Sequence, residues 1–320
     1  MILKTILIVL ALIGAAVGLW LLSQMKRTRE LAAQAEAAVP PAGRFAAIST
    51  GRLHYTDTGG SGRPVVMIHG LGGQLRSLTM SLAGPLSRDF RVIAIDRPGM
   101  GYSERDEAAS ARIDDQAGYV EELIDQLGLE RPIILGHSLG GAIASALALR
   151  APEKVGGLAL IAPLLRPSQM QAKSFAALGI RTPWLRRLVA ETVAVPTSAK
   201  NADLTRTEIF GPDPVPEGYT VKGGGLLSLR PRSFFNTSRD YMAVGGVISK
   251  QYKRYDEITC PVRVLYGTED RILDYRKQGE EMSDQYPHFQ LELVEGAGHM
   301  LPLTQVERTV ETVRAVDAAI

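Results

Sequence analysis

Three patterns of hydrophobic positions divide the chain. The first is an unbroken apolar run over residues 5–22, with no charged residue in it. A helix rises 1.5 Å per residue, so about 18 residues just cross a hydrocarbon core about 30 Å thick. Lys4 precedes the run, Lys26, Arg27 and Arg29 follow it, and Trp20 lies near one end, where an interfacial aromatic belongs. The run predicts one N-terminal transmembrane anchor over residues 1–25. An Ala-rich linker over 26–43 then ends at Pro40-Pro41. The alternative is a secretory signal cleaved after 33–35 or 35–37, followed by secretion. The run exceeds the apolar stretch of about 7–15 residues usual in such signals, and both sites lie past a basic cluster. A single-pass membrane anchor is therefore the expectation. Its cationic flanks nearly balance, so the side of the membrane is not set.

The second pattern is a series of short continuous apolar runs: 65–68, 92–95, 133–135, 158–161, 262–266 and 291–294. Each reads as a strand buried on both faces. Two further strands, 44–50 and 53–58, flank a turn at Gly51-Arg52. Helical periodicity fills the intervals at 77–87, 114–127 and 142–150, and again at 303–320. In the 114–127 stretch the apolar positions are Val120, Leu123, Ile124 and Leu127. Alternating strands and helices predict an α/β fold over 44–320, a mostly parallel sheet covered on both faces. Chemistry in such sheets sits at the carboxyl ends of the strands.

The third pattern is an interruption. Residues 165–256 carry helical pieces, scattered aromatics and Pro/Gly turns at Pro212, Pro214, Pro216 and Gly223–Gly225. A structureless loop of that size does not suit a compact domain, so this stretch is expected to be a helical insertion.

Composition narrows the function classes. The 320 residues are 45% hydrophobic, and 36 Lys+Arg against 34 Asp+Glu leave a net charge of +2. No basic stripe accompanies that charge, so nucleic-acid binding is not expected. A single cysteine, Cys260, excludes an internal disulfide and a cysteine-based zinc site. No metal or cofactor is called for.

The candidate chemistry lies at the strand ends. Gly136-His137-Ser138-Leu139-Gly140 is a Gly-x-Ser-x-Gly pentapeptide between a buried strand and a helix. That context is what identifies a nucleophile elbow, in which the serine takes a strained backbone and its neighbours must be small. A serine hydroxyl needs a base to remove its proton. His299, after the last strand, is the candidate base. His54 lies within a strand, His288 in a turn, and His69 and His137 inside other motifs. An acid must orient the base, and the chain order Ser, acid, His places it between them. Asp270 follows the strand 262–266 and is favoured over Glu269 and Asp274. The oxyanion hole is expected from the backbone N–H of Leu139 and of Leu71, the latter in His69-Gly70-Leu71-Gly72-Gly73, with Gly72 its neighbouring rival. Within the insertion, Trp184, Phe234 and Phe235 are candidates for an apolar acyl pocket; packing inside the insertion is the competing reading.

Together these motifs resemble the α/β-hydrolase superfamily. Asp96-Arg97-Pro98-Gly99-Met100-Gly101-Tyr102-Ser103 is similar to the segment after the fourth strand in haloalkane dehalogenases, epoxide hydrolases, cofactor-free haloperoxidases and C–C bond hydrolases. The resemblance implies that the 165–256 insertion is a cap over the active site. Dehalogenases and epoxide hydrolases of this group carry Asp at the nucleophile position, whereas this chain has Ser138. The expected function is therefore a serine hydrolase of carboxylic esters or related acyl bonds, with a small-molecule ester or acyl substrate. A C–C hydrolase or cofactor-free haloperoxidase is the alternative. A membrane-anchored binding module without catalysis is a further one.

Overall fold

A computed structural model describes residues 2–168 and 173–320. Its first helix, α1 (Ile2–Ala38), does not stop where the apolar run stops. The residues beyond Leu22 are mostly Gln, Lys, Arg, Glu, Leu and Ala, which favour helix, and Pro40-Pro41 lies just past its end. The linker expected over 26–43 is thus helical as far as Ala38. An 18-residue window of α1 has a mean hydropathy of 2.7 and nothing buried, so the helix is long and apolar enough to cross a membrane. Its second half is different. Thr28 and Ala35 are buried against the insertion, and Thr28 Oγ1 donates to Thr192 O at 2.7 Å.

The core is an eight-stranded sheet. Its strands are β1 (Arg44–Ile48), β2 (Gly51–Asp57), β3 (Pro64–Ile68), β4 (Arg91–Ile95), β5 (Ile133–His137), β6 (Gly157–Ile161), β7 (Val262–Gly267) and β8 (Phe289–Val294). Their order is β1-β2-β4-β3-β5-β6-β7-β8. β1 and β2 are antiparallel, β2 joins β4 antiparallel, and every pairing from β4 to β8 is parallel. All eight expected strands are present. The central ones, β5 and β6, are buried at every position, which explains the apolar runs at 133–135 and 158–161.

Helices cover the sheet. α2 (Arg76–Leu86) packs against α11 (Val306–Asp317), while α3 (Ile113–Gln126) packs against α4 (Leu139–Arg150). The insertion between β6 and β7 contains α5 (Pro183–Val189), a π-helical turn (Ala190–Ala194), α6 (Val195–Lys200), α7 (Ala202–Phe210) and the long α8 (Pro231–Gln251). Two details differ from the sequence reading. A polar helical segment, Arg276–Glu280 continuing into α9 (Glu281–Gln285), separates β7 from β8. The last helix is split, with a short α10 (Leu301–Thr304) before α11, because Gln305 leaves helical geometry at φ −130° and ψ 57°.

Candidate active site

Ser138 is the single residue between β5 and α4. It sits at φ 54° and ψ −119°. A non-glycine residue there stores about 1–3 kcal/mol of backbone strain, held by its surroundings. Ser138 N donates to Ile161 O at 3.1 Å, and Ser138 O accepts from Gly141 N and Leu164 N, both at 2.9 Å. The flanking glycines are required by space. A Cβ on Gly136 would lie 2.5 Å from Gly140 O, and one on Gly140 would lie 2.1 Å from Ile68 O. The Ser138 hydroxyl therefore projects from a turn whose backbone has no room to relax.

His299 and Asp270 come from the loops after β8 and β7. Their meeting depends on Gly267, where a Cβ would stand 2.2 Å from Ala297 O. His299 Nδ1 lies 2.7 Å from Asp270 Oδ2. Asp270 Oδ1 accepts two amide protons, from Ile272 N at 2.8 Å and Leu273 N at 2.9 Å. Its side chain is fully buried. An ionised carboxylate only accepts, so Nδ1 carries the ring proton and Nε2 is left as the basic nitrogen. The rivals do not reach the ring. Glu269 is exposed, and Asp274 accepts from Arg276 N at 3.1 Å.

The loop after β3 lies against Ser138. A Cβ on Gly70 would stand 3.0 Å from Ser138 Cβ. The N–H groups of Leu71 and Leu139 have no acceptor among the described residues. His69 shapes this loop: Nδ1 donates to Gly70 O at 2.8 Å, and Nε2 accepts from Arg97 N at 3.0 Å. Burial, with the Arg97 charge second, pushes the His69 pKa down to about 3, so its ring is neutral at pH 7. His137 is likewise pushed to about 3, by burial and then by His299. Its Nε2 donates to His299 O at 3.1 Å, linking the elbow to the histidine loop.

Sequence reasoning missed how the insertion is bound to this machinery. Arg97 Nε donates to His69 O and Nη2 to Gly70 O, both at 3.0 Å, while Nη1 donates to Asp240 Oδ2 on α8 at 2.7 Å. Asp213, also in the insertion, accepts Gly298 N at 2.7 Å, next to His299. The only sequence signal was Arg97 lying inside the Asp96–Ser103 motif.

A cavity of about 90 Å³ joins these groups. Ser138, His299, Leu71, Phe175, Tyr219 and Met300 line it. Trp184, Phe234 and Phe235 do not. Trp184 is 69% exposed, and Phe235 lies beneath Arg187 at 4.8 Å in a different cleft. The reason is the polarity of α8. Its buried positions include Ser233, Asn236, Thr237 and Asp240, which turns both phenylalanines off that face. Among the described residues, no three His, Cys, Asp or Glu side chains converge as metal ligands.

Comparison with known proteins agrees with this fold. Residues 63–305 match the family model described as the alpha/beta hydrolase fold. A 2-hydroxy-6-oxononadienedioate/2-hydroxy-6-oxononatrienedioate hydrolase from Cupriavidus pinatubonensis is 25% identical over 80% of this chain and 88% of its own. Other curated relatives match over shorter stretches, at 36% and 39% identity, that span only 32% and 44% of their lengths. Among solved structures, the carboxylesterase CesB of Bacillus subtilis superposes with a TM-score of 0.66 at 22% identity, covering 92% of this chain and 98% of that one. A membrane phospholipase A, a bacterial virulence factor, gives 0.64 at 21% identity and covers 98% of both chains.

Proposed function

Because the chain belongs to the α/β-hydrolase family, we propose that it is a membrane-anchored serine hydrolase that cleaves carboxylic esters through an acyl-enzyme. The observation that carries this reading is the joint placement of a strained Ser138 and a buried His299–Asp270 pair on one cavity. Arg131 and Ala162 also hold a positive φ, and His54 is also paired with a buried carboxylate, Asp96, at 2.7 Å. What supports catalysis is that a strained serine and a carboxylate-held histidine meet at one cavity.

The chemistry follows from the groups in place. Ser138 Oγ attacks the carbonyl carbon while His299 Nε2 takes its proton. The resulting oxyanion is held by the Leu71 and Leu139 amides, and losing one such donor typically costs about 3–4 kcal/mol in barrier. Asp270 stabilises the imidazolium without accepting its proton. His299 then protonates the leaving alcohol. It next deprotonates a water, which attacks the acyl-enzyme and releases the acid. The apolar lining from Leu71, Phe175 and Met300 suits an acyl chain. Helix α1 supplies the anchor, consistent with the membrane phospholipase A among the structural neighbours.

One observation favours a second reading. The relative that aligns over 80% of the chain is a C–C bond hydrolase. Steady-state kinetics of the detergent-solubilised chain on p-nitrophenyl esters of increasing acyl length, against a vinylogous 1,5-diketone, separates the two. Turnover of esters alone supports the esterase. Turnover of the diketone with kcat/KM above every ester transfers the assignment to C–C cleavage.

A further inference from the structure

A second cleft, of about 250 Å³, lies between the insertion and the loop after β4. Four guanidinium groups line it: Arg105 from that loop, Arg187 from α5, and Arg232 and Arg239 from α8. Arg232 and Arg239 are seven residues apart, so they stand about two turns along one side of the same helix. Among the described residues neither forms a direct ion pair, although Asp96, Glu36 and Glu104 act on Arg232 from further off, and Asp240 and Glu107 on Arg239. Arg232 donates to Ser103 O, and Arg239 to Ala109 O and to Glu107 O at 3.1 Å. In both, Nε and Nη1 have no partner among the described residues. Arg105 shares the single carboxylate of Asp240 with Arg97, at 2.7 Å from each, so that cluster keeps an excess positive charge. Arg105 Nε is buried with no hydrogen-bond partner among the described residues.

The carboxylates on the wall do not cancel this excess. Glu104 is held by Arg52 at 2.6 Å, and Glu107 is paired with Arg187. Glu191 alone has no cationic partner among the described residues. Burial lowers the basicity of Arg232 and, together with the Arg105 charge, of Arg239; the surrounding carboxylates offset this cost only in part. A bound anion removes that cost.

We propose that this cleft binds a phosphate group, carried by a lipid headgroup or free in solution. Guanidinium groups presented to one cleft from three separate elements suit a tetrahedral anion better than a flat carboxylate, which one fork satisfies. Position adds a source. Glu191 on the cleft wall is the neighbour of Thr192, which accepts the hydrogen bond from Thr28 of α1. Thr28 lies six residues past Leu22, the end of the apolar run, or about 9 Å along the helix. The headgroup zone adds about 5–8 Å to each side of the hydrocarbon core, so the cleft stands beside that layer. The site shares no lining residue with the Ser138 cavity, and binding does not require turnover.

The test is isothermal titration of the full chain in dodecylmaltoside micelles. The probes are inorganic phosphate and, separately, dioctanoyl-phosphatidylglycerol, followed by competition between the two. The proposal expects saturable binding of at least one probe, weakened tenfold or more by Arg232→Gln/Arg239→Gln. Glu191→Gln removes an unpaired negative charge from the wall and tightens binding several-fold. That second variant guards against a double mutant that merely loosens α8. Competition between the probes, or lipid binding alone, assigns the headgroup. Phosphate binding that the lipid cannot displace assigns free phosphate. Absence of binding by folded wild-type protein, or binding indifferent to both variants, overturns the proposal.

Discussion

Asp270→Asn isolates the part of the mechanism most sharply set by geometry. Asp270 Oδ1 accepts two backbone protons, from Ile272 and Leu273, and Oδ2 faces His299 Nδ1 at 2.7 Å. An asparagine must place its carbonyl oxygen at the Oδ1 position, because an NH2 there would point protons at two N–H donors. The NH2 group then faces His299 and donates to Nδ1. The ring proton moves to Nε2, which can then no longer accept a proton from Ser138. The nucleophile stays in place but loses its base. The expected fall in kcat is roughly 10⁴-fold, as for the same tautomer error in a Ser-His-Asp triad. At 1.36 kcal/mol per decade that is about 5 kcal/mol of barrier. The assay is p-nitrophenyl butyrate hydrolysis, with KM, thermal unfolding and the Glu269→Gln variant in parallel. A fall in kcat below tenfold, or an equal fall in Glu269→Gln, would refute the assigned geometry.

Other perturbations follow from the same structure. Ser138→Gly removes the hydroxyl and also relieves the positive φ; turnover should vanish while stability rises by about 1 kcal/mol, read as a higher Tm. Gly140→Ala places a methyl group 2.1 Å from Ile68 O, against backbone that cannot swing aside, and should abolish activity with a clear fall in Tm. For Asp240, burial alone raises the carboxyl pKa, but Arg105 and Arg97 outweigh it and hold it below the usual range. Its folded pKa is depressed, so its stabilising contribution is complete above an unfolded pKa of about 3.9 and is lost as pH falls through the folded value. Urea midpoints should be insensitive to this pair from pH 5 to 8. Asp240→Asn leaves two buried cations sharing no counter-charge and should cost about 3–5 kcal/mol at pH 7. Removal of residues 2–25 should leave the catalytic domain folded. Removal through Val39 should lower Tm further, because it also deletes Thr28, Ala35 and the carbonyl that accepts Tyr102 Oη at 2.5 Å.

The strands were legible because those buried on both faces leave no room for polar residues, as at 65–68 and 158–161. The turn at Ser138 was legible because it admits only glycine two residues to either side, at Gly136 and Gly140, and that requirement is written directly into the sequence. Asp270 could be preferred over Glu269 only by its reach past a strand end. The distance to His299 is a property of two loops meeting through Gly267. The helical arm of α1 was hidden, because charged and Ala-rich residues suit a linker as well as a helix. Residues 276–285 were hidden for the opposite reason, having no apolar periodicity to reveal them. Phe234 and Phe235 misled because aromatic identity does not say which face of α8 turns inward, and Trp184 because nothing local tells that its side of α5 faces outward. Arg97 joining the loop after β3 to Asp240 depends on a contact across 143 residues of chain, which no local pattern encodes.

The central claim is that Ser138 is an activated nucleophile. Its most direct test is fluorophosphonate labelling of the full chain in detergent, with mass spectrometry of the modified peptide. A covalent adduct on Ser138, absent from Ser138→Ala and strongly slowed in Asp270→Asn, is the result expected. Folded protein that takes no label, or takes it on another residue, would contradict the account.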